Sequence, residues 1–563
     1  MSLSFFSRWA GPGYKRDGSQ PADLAVVNAD VFTSDAGKPR ARAVAVKEGR
    51  ITYVGDDKGA AVFIGPDTEV IDARGRVLTP GFIDNHCHVL WIGGLRALMT
   101  TELFNAKTLD EMVSCMREQA SQHPELPLVI GLGFHYEYLP EGGPDMGLVD
   151  SVIPDRPAMI WSYSGQPICI NTPAYRLMTE RNPETFRQLV PEIDERGGFT
   201  GNLQHAHAFN IFDFFTPDEL GGDIKQRFFD NISDVLDEAL SVGVTTMQDA
   251  QLYKSFMPMV LEFRERGGLD RVRVRGTYYV NHFVLEDEEG FKRDLAWWKE
   301  LGKGSDSHLV LGDAIKAYID GVSSGHTSFM FKPFNDAPGD YGDVNYSEEE
   351  WNRVMEIIDG MGLQACTHAC GDAGIHRVVN GYRHAAEVNG RRDARHRADH
   401  CSGPLADDFK TMAELGIHAA MQPAHFFADE TIEKALGWER LQGYMPWRSL
   451  EKSGVTISFG SDWCAGPINP IYGLLIAANR MNYRMKRDWG PQEKISLEDA
   501  VRHWTIDCAH SLFMEDDIGS LEIGKYGDMV LFNTSPFKLD SLWFLLTHKL
   551  ELGAMDDYVD LTP

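Results

Sequence analysis

Cysteine is scarce in this sequence: eight residues in 563, scattered, with the closest pair at Cys366 and Cys370. Such a distribution encodes neither a disulfide framework nor a structural zinc site of repeated short cysteine spacings. Basic residues are outnumbered, 54 Lys and Arg against 83 Asp and Glu, for a formal net charge of −29. Nucleic acids and anionic membranes attract basic surfaces, so neither is the expected main partner. No stretch approaches the roughly 20 apolar residues that span a bilayer. The N-terminal MSLSFFSRWAGPGYKRDGSQPADLA has no long apolar run after a basic start, so no secretory signal is visible. A reduced, cytoplasmic setting is therefore the expectation. Internal repeats and low-complexity tracts are lacking too.

What is present is ordinary globular composition, 43% hydrophobic and 24% charged. The length exceeds what one compact core accommodates, so about two or three domains are expected. After a Gly-, Ser- and Pro-rich lead-in come short alternating runs at 24–33, 42–55 and 68–84, separated by turn signals such as Glu48-Gly49. A similar run, IGSLEIGKYGDMVLFNTSP, occupies 518–536. The pattern predicts a small β-sandwich domain built from both chain ends, 1–78 plus 512–563; two unrelated caps are the plainer alternative.

Between the ends, strands alternate with helices, as in a parallel α/β sheet. Candidate strands lie at 81–88, 244–249, 271–279, 314–320, 363–368, 396–400, 417–422 and 455–462, with helices such as 347–362 between most of them. Eight is the number that closes a (β/α)8 TIM-like barrel, expected over 79–511. The span from about 95 to 240 breaks the rhythm and reads as a long insertion after the first barrel strand. Insertions of that size often form lids or substrate walls.

Chemistry-bearing residues gather at the strand ends. In His86-Cys87-His88, the i and i+2 side chains share a face of a strand. Alone, the pair would more often be two satisfied loop histidines; here it closes a β-run and follows Thr79-Pro80-Gly81-Phe82-Ile83-Asp84-Asn85. His368 closes LQACTH, His400 closes HRADH and Asp462 closes VTISFGSD. The gaps of 32 and 62 residues are close to one and two βα units, which leaves strand 417–422 without a ligand. Nitrogen- and oxygen-rich sets suit Zn²⁺ or a related divalent transition metal better than Ca²⁺ or Mg²⁺.

TPGFIDNHCH resembles the first-strand signature of the amidohydrolase superfamily, and THACGDAG, RADH and FGSDW resemble its fifth, sixth and eighth strand motifs. GSLEIGKYGDMVLFN is similar to the family's C-terminal signature. With KAYIDG, MQPAH and NPIYGLLIAANR, the resemblance is strongest to the YtcJ-like subgroup, amidohydrolase family 3, over about residues 23–536. It implies a first metal on His86 and His88, and a second metal or the substrate on His368 and His400. Asp462 would touch the metal and accept a proton from its water. Lys316 falls where this subgroup carries a bridging carboxylated lysine; a plain buried lysine paired with Asp320 or Asp462 is the alternative. One or two zinc ions are the implied cofactor. Bound metal lowers the pKa of water from about 15.7 to about 7 and polarises a carbonyl, so the implied reaction is hydrolysis of an amide or N-substituted formamide C–N bond. Deamination of a cyclic or aromatic substrate, or a non-catalytic regulatory role on the same fold, are the competing readings.

The sequence departs from the family where substrate would bind. Ser164-Gly165-Gln166 stands for an Asp-Gly-His element, Gly201-Asn202-Leu203-Gln204-His205 for Gly-x-Leu-x-Glu, and His326 for an arginine. Gln166, His205, His326 and His135 are therefore the candidate substrate contacts; surface placement in a variable loop is the alternative for the two imidazoles. Phe134 and Trp161 fit core aromatics better than pocket lining. Arg480 is expected to support the last helix. The expected partner is a small-molecule substrate, with a homodimer left open.

Overall fold

The computed structural model describes residues 4–6, 21–97, 99–103, 105–134, 138–139, 143–162, 168–204, 209–221, 223–427, 430–482 and 487–538. The described residues fall into two compact units, those within 4–87, 237–251 and 269–538 in one and those within 88–236 and 252–268 in the other.

The first unit carries eight parallel strands: β1 (Phe82–Cys87), β2 (Val244–Leu252), β3 (Arg273–Tyr279), β4 (Ala314–Tyr318), β5 (Gln364–Ala369), β6 (Arg397–His400), β7 (His418–Met421) and β8 (Ile457–Phe459). They neighbour one another in sequence order from β1 to β8. Between β8 and β1 the ring is completed by the Asp462 N–H, which donates to His86 O at 2.7 Å, and by the Ser461 N–H, which donates to Asp84 Oδ1 at 2.9 Å. The sheet is thus a nearly closed barrel, and each expected strand lies within a few residues of an observed one. β1, β2, β3 and β5 are buried along their whole length, as strands covered on both faces must be. Register sets Tyr318 beside His368 and Ala369 beside His400, so β4, β5 and β6 bring their C-terminal ends level.

The helix expected over 347–362 spans Glu348–Gly360 and opens on a capping box between Ser347 and Glu350. Trp351, Val354, Met355 and Ile358 recur at i, i+3, i+4 and i+7 and are buried along one face.

The chain ends contribute two further sheets to this unit. One orders Ser4–Phe6, Met529–Leu531, Val77–Pro80, Asp30–Phe32 and Arg40–Ala41; the other orders Arg50–Gly55, Ala43–Lys47, Leu24–Val27 and Glu69–Asp72. Leu24, Val26, Val44 and Ile51 from one sheet share an apolar cluster with Val31, Leu78, Met529 and Leu531 from the other. The run 42–55 is a hairpin whose two loop residues, Glu48 and Gly49, both have positive φ, 47° and 75°. Two positive φ values match the primed turn that joins twisted strands.

The second unit holds a six-stranded sheet: Met99–Glu102, Val129–Phe134 and Ala158–Ser162 pair in parallel, and Ile168–Ile170, Phe199–Leu203 and Pro191–Ile193 continue antiparallel. Phe134 packs in its apolar cluster with Leu103, Met116 and Ile160. Trp161 meets Phe209 edge-on at 5.8 Å, so both aromatics are core. Among the described residues no helix is long and apolar enough to cross a membrane.

Candidate metal centre

Four of the expected ligands lie at or just past C-terminal strand ends, while Lys316 is the middle residue of β4. His86 lies in β1, His368 in β5, His400 at the last residue of β6, and Asp462 just past β8. The His368 ring is 4.3 Å from that of His400, which is 4.9 Å from that of His86. Asp462 Oδ1 is 3.6 Å from His86 Nε2, and Oδ2 is 3.9 Å from His400 Nδ1. His88 is the first residue of the second unit and is half-buried.

A fifth group completes the set. His425, in the short turn Pro423–Phe427 after β7, stacks on His400 at 5.8 Å and places Nε2 3.4 Å from Asp462 Oδ2. The strand read as lacking a ligand therefore has a candidate one four residues beyond its end. MQPAH held the signal, but strand periodicity does not reach into a turn.

Backbone geometry at the centre is uncommon. His400, Cys401 and Asp462 have φ of 70°, 45° and 52°, a left-handed region that non-glycine residues seldom occupy. Such residues cluster where a site over-determines the chain. Asp462 does not cap a helix: the next helix, Pro470–Asn479, is capped by Asn469. Arg480 closes that helix, fully buried, donating to the carbonyls of Tyr444, Met445 and Trp489.

Electrostatics keep the imidazoles neutral. Burial, then the Lys316 charge, lowers His86 to about 4 and His368 to about 3. Burial also lowers His400, aided by His368, and His425. Neutral imidazole is the metal-binding form.

Lys316 is fully buried, and its ammonium lies 3.1 Å from Asp399 Oδ2. Neither Asp320 nor Asp462 is its partner, contrary to the alternative drawn from sequence. Asp399 also faces His86 Nδ1 at 3.0 Å, accepts the Arg397 Nε–H at 2.9 Å and pairs with the same guanidinium's Nη2 at 2.8 Å. Arg397 in turn donates to Asn85 and Gln248. Sequence reasoning missed Asp399 because strand alternation sets it on the face opposite His400; the positive φ of His400 ends that alternation. Asp84, read only within its motif, and Asp320, read only as an alternative partner of Lys316, were given no role of their own. Burial raises both to about 7. Asp320 accepts the N–H groups of Phe329, Cys370 and Gly371 at 2.8–3.0 Å.

Of the expected substrate contacts, His326 is half-buried, bonded to Asp336 at 2.9 Å and packed on Phe334. Gln166, His205 and His135 lie outside the described residues.

The donor set fits a divalent transition metal. His400, His425 and Asp462 place ligand atoms within 4.8 Å of one another, as do His368, Cys370 and His400. His425 Nε2 is buried and makes no hydrogen bond, an orphan that an ion would satisfy.

A nearly closed parallel barrel with imidazoles and a carboxylate at its C-terminal mouth defines a metal-binding TIM-barrel protein. The chain belongs to the amidohydrolase family, whose model matches residues 69–542, and within it to the YtcJ-like subgroup. It is 28% identical to the Protein LONG AFTER FAR-RED 3 of Arabidopsis thaliana, over 91% of this chain and 88% of that protein. Identity is 23% to the putative amidohydrolase YtcJ of Bacillus subtilis (91% and 94% covered) and 25% to the N-substituted formamide deformylase of Arthrobacter pascens (92% and 94%). An uncharacterised metal-dependent hydrolase from Pyrococcus horikoshii shares the fold at a TM-score of 0.69, with 20% identity, 91% of this chain and 98% of that one covered.

Proposed function

We propose that this chain is a zinc-dependent hydrolase that cleaves the C–N bond of an amide or N-substituted formamide. The observation that carries the reading is the convergence of His86, His368, His400 and His425 around Asp462 at strand ends of one barrel. The 25% identity to an N-substituted formamide deformylase favours the formamide branch.

As the first-strand motif implies, His86 and the histidine two residues on would serve one ion; His368 and His400 would hold another. A divalent ion in such a site brings the pKa of water to about 7 and polarises a carbonyl. Asp462 then acts as proton carrier. Its carboxylate takes the proton of the attacking water and returns it to the departing nitrogen, as base and then acid. His425, whose unbonded Nε2 lies 3.4 Å from Oδ2, would stand beside that carboxylate as a further ligand. The Asp399 carboxylate behind His86 holds its ring in place, the usual role of a partner behind a liganding imidazole. Half-buried His326 is the described candidate for substrate contact.

Asp462→Asn tests this. On a panel of N-formyl and N-acyl amines, kcat/KM should fall by about 10²–10⁴-fold while metal content by elemental analysis is retained. Formate or carboxylate plus amine are the expected products. Ammonia release from ring amines, with no amide cleaved, would refute the proposal in favour of deamination.

A further inference from the structure

Cys370 has no place in the ligand set above, yet it stands beside it. It follows β5 by one residue, half-buried, and its Sγ lies 3.6 Å from His368 Nε2. Sγ, a His368 nitrogen and a His400 nitrogen all fall within 4.8 Å of one another. A thiolate and an imidazole nitrogen bound to one tetrahedral zinc, at about 2.3 and 2.0 Å, are about 3.5 Å apart. The observed spacing matches that edge.

The thiol is also held in place. Asp320 Oδ1 accepts the Cys370 N–H at 3.0 Å, and Oδ2 accepts the Gly371 N–H at 2.8 Å. Any Cβ on Gly371 would collide with Phe329 O, so the turn is packed as well as bonded. Lys316, by contrast, aims its ammonium at Asp399, and an ammonium has no lone pair to offer. His368 and His400 thus have a thiol within reach as third ligand.

We infer that the Cys370 thiolate, with His368 and His400, forms an N₂S site for a thiophilic divalent ion such as Zn²⁺. The inference rests on reading the barrel mouth as a metal centre. On binding, Cys370 loses its thiol proton to water, and the ring proton that neutral His368 donates from Nε2 to Gly321 O, 2.9 Å away, moves to Nδ1, so that the Nε2 lone pair is free and the imidazole stays neutral. Sulfur in the set selects Zn²⁺ over Mg²⁺ or Ca²⁺.

Cobalt(II), added to the full chain after chelator stripping, is the probe. The expected result is ligand-field absorption together with near-ultraviolet thiolate-to-cobalt charge transfer; Cys370→Ser should abolish the charge transfer and lower the bound cobalt by about one equivalent per chain. Ligand-field bands without charge transfer would overturn the thiolate ligand and leave the metal centre standing, and so would loading that needs bicarbonate, which points to a carboxylated Lys316. Failure of the wild-type chain to bind cobalt at all would overturn both. Should Cys370→Ser not fold, iodoacetamide labelling of the wild type decides: cobalt should shield Cys370, and equal labelling with and without cobalt would refute the site.

Discussion

Two regions of this molecule bury histidine against carboxylate and reach opposite charge states. At the barrel mouth His86 is buried with Asp399 at 3.0 Å, and is lowered to about 4. His503, in the helix Leu497–His503, is also buried, with Asp507 at 2.8 Å and Glu451 at 3.0 Å, and is raised to about 9. Burial opposes the charged form in both places. The difference lies in who else uses the carboxylate. Asp399 answers Lys316 and Arg397 before it answers His86, whereas Asp507 and Glu451 bond both nitrogens of His503. At His86 burial lowers the value most and the Lys316 cation beside the shared carboxylate adds to it, whereas at His503 two carboxylates outweigh burial.

The largest effect expected from breaking this arrangement is in Arg397→Met. Asp399 and Arg397 are both fully buried, and removing one partner of such a pair costs about 3–5 kcal/mol. Denaturant unfolding should show that loss. A loss under about 1 kcal/mol would mean that the remaining Lys316 contact suffices for Asp399.

His503→Gln sharpens the other side. A histidine raised from 6.5 to about 9 stabilises the fold fully below its unfolded pKa, and the contribution disappears as pH rises through about 9. The wild type should therefore exceed the variant by about 3 kcal/mol at pH 6, with the gap closing above about pH 9. A pH-independent gap would assign His503 a packing role only, through Phe459 at 5.1 Å.

What the sequence showed and hid follows the same division. The eight barrel strands were legible because each is a short apolar run closed by a turn, and four candidate ligands, His86, His368, His400 and Asp462, stood at or just past their ends. His425 and Cys370 escaped because both sit in turns beyond a strand, where period-two reasoning has no purchase. The Lys316–Asp399 pair escaped for another reason: 83 residues separate the partners, and only the β4–β5–β6 register brings them together. Charge pairs across a barrel are a tertiary fact. The second unit was half legible: within the insertion the apolar runs LPLVIGLGF and RPAMIWSYSG read as strands, and strands lie at 129–134 and 158–162, while the short antiparallel returns at 168–170 and 191–193 have too few residues for a pattern.

The smallest effect isolates the buried cation itself. In Lys316→Met the isosteric apolar chain keeps packing, and Arg397 still holds Asp399 through a hydrogen bond and an ion pair. The stability loss should thus stay below that of Arg397→Met. What changes is the field at His86, where Lys316 is the second cause of the lowered value and Asp399 the main opposing one. With the ammonium gone, the carboxylate's pull is less offset, and His86 should titrate roughly 1–3 units higher. Nitrogen-15 NMR of the metal-free chain would follow the ring directly, with His503 as an internal reference that should not move. If His86 still titrated near 4, desolvation alone would set its charge, and the contrast with His503 would reduce to the number of carboxylates each ring touches.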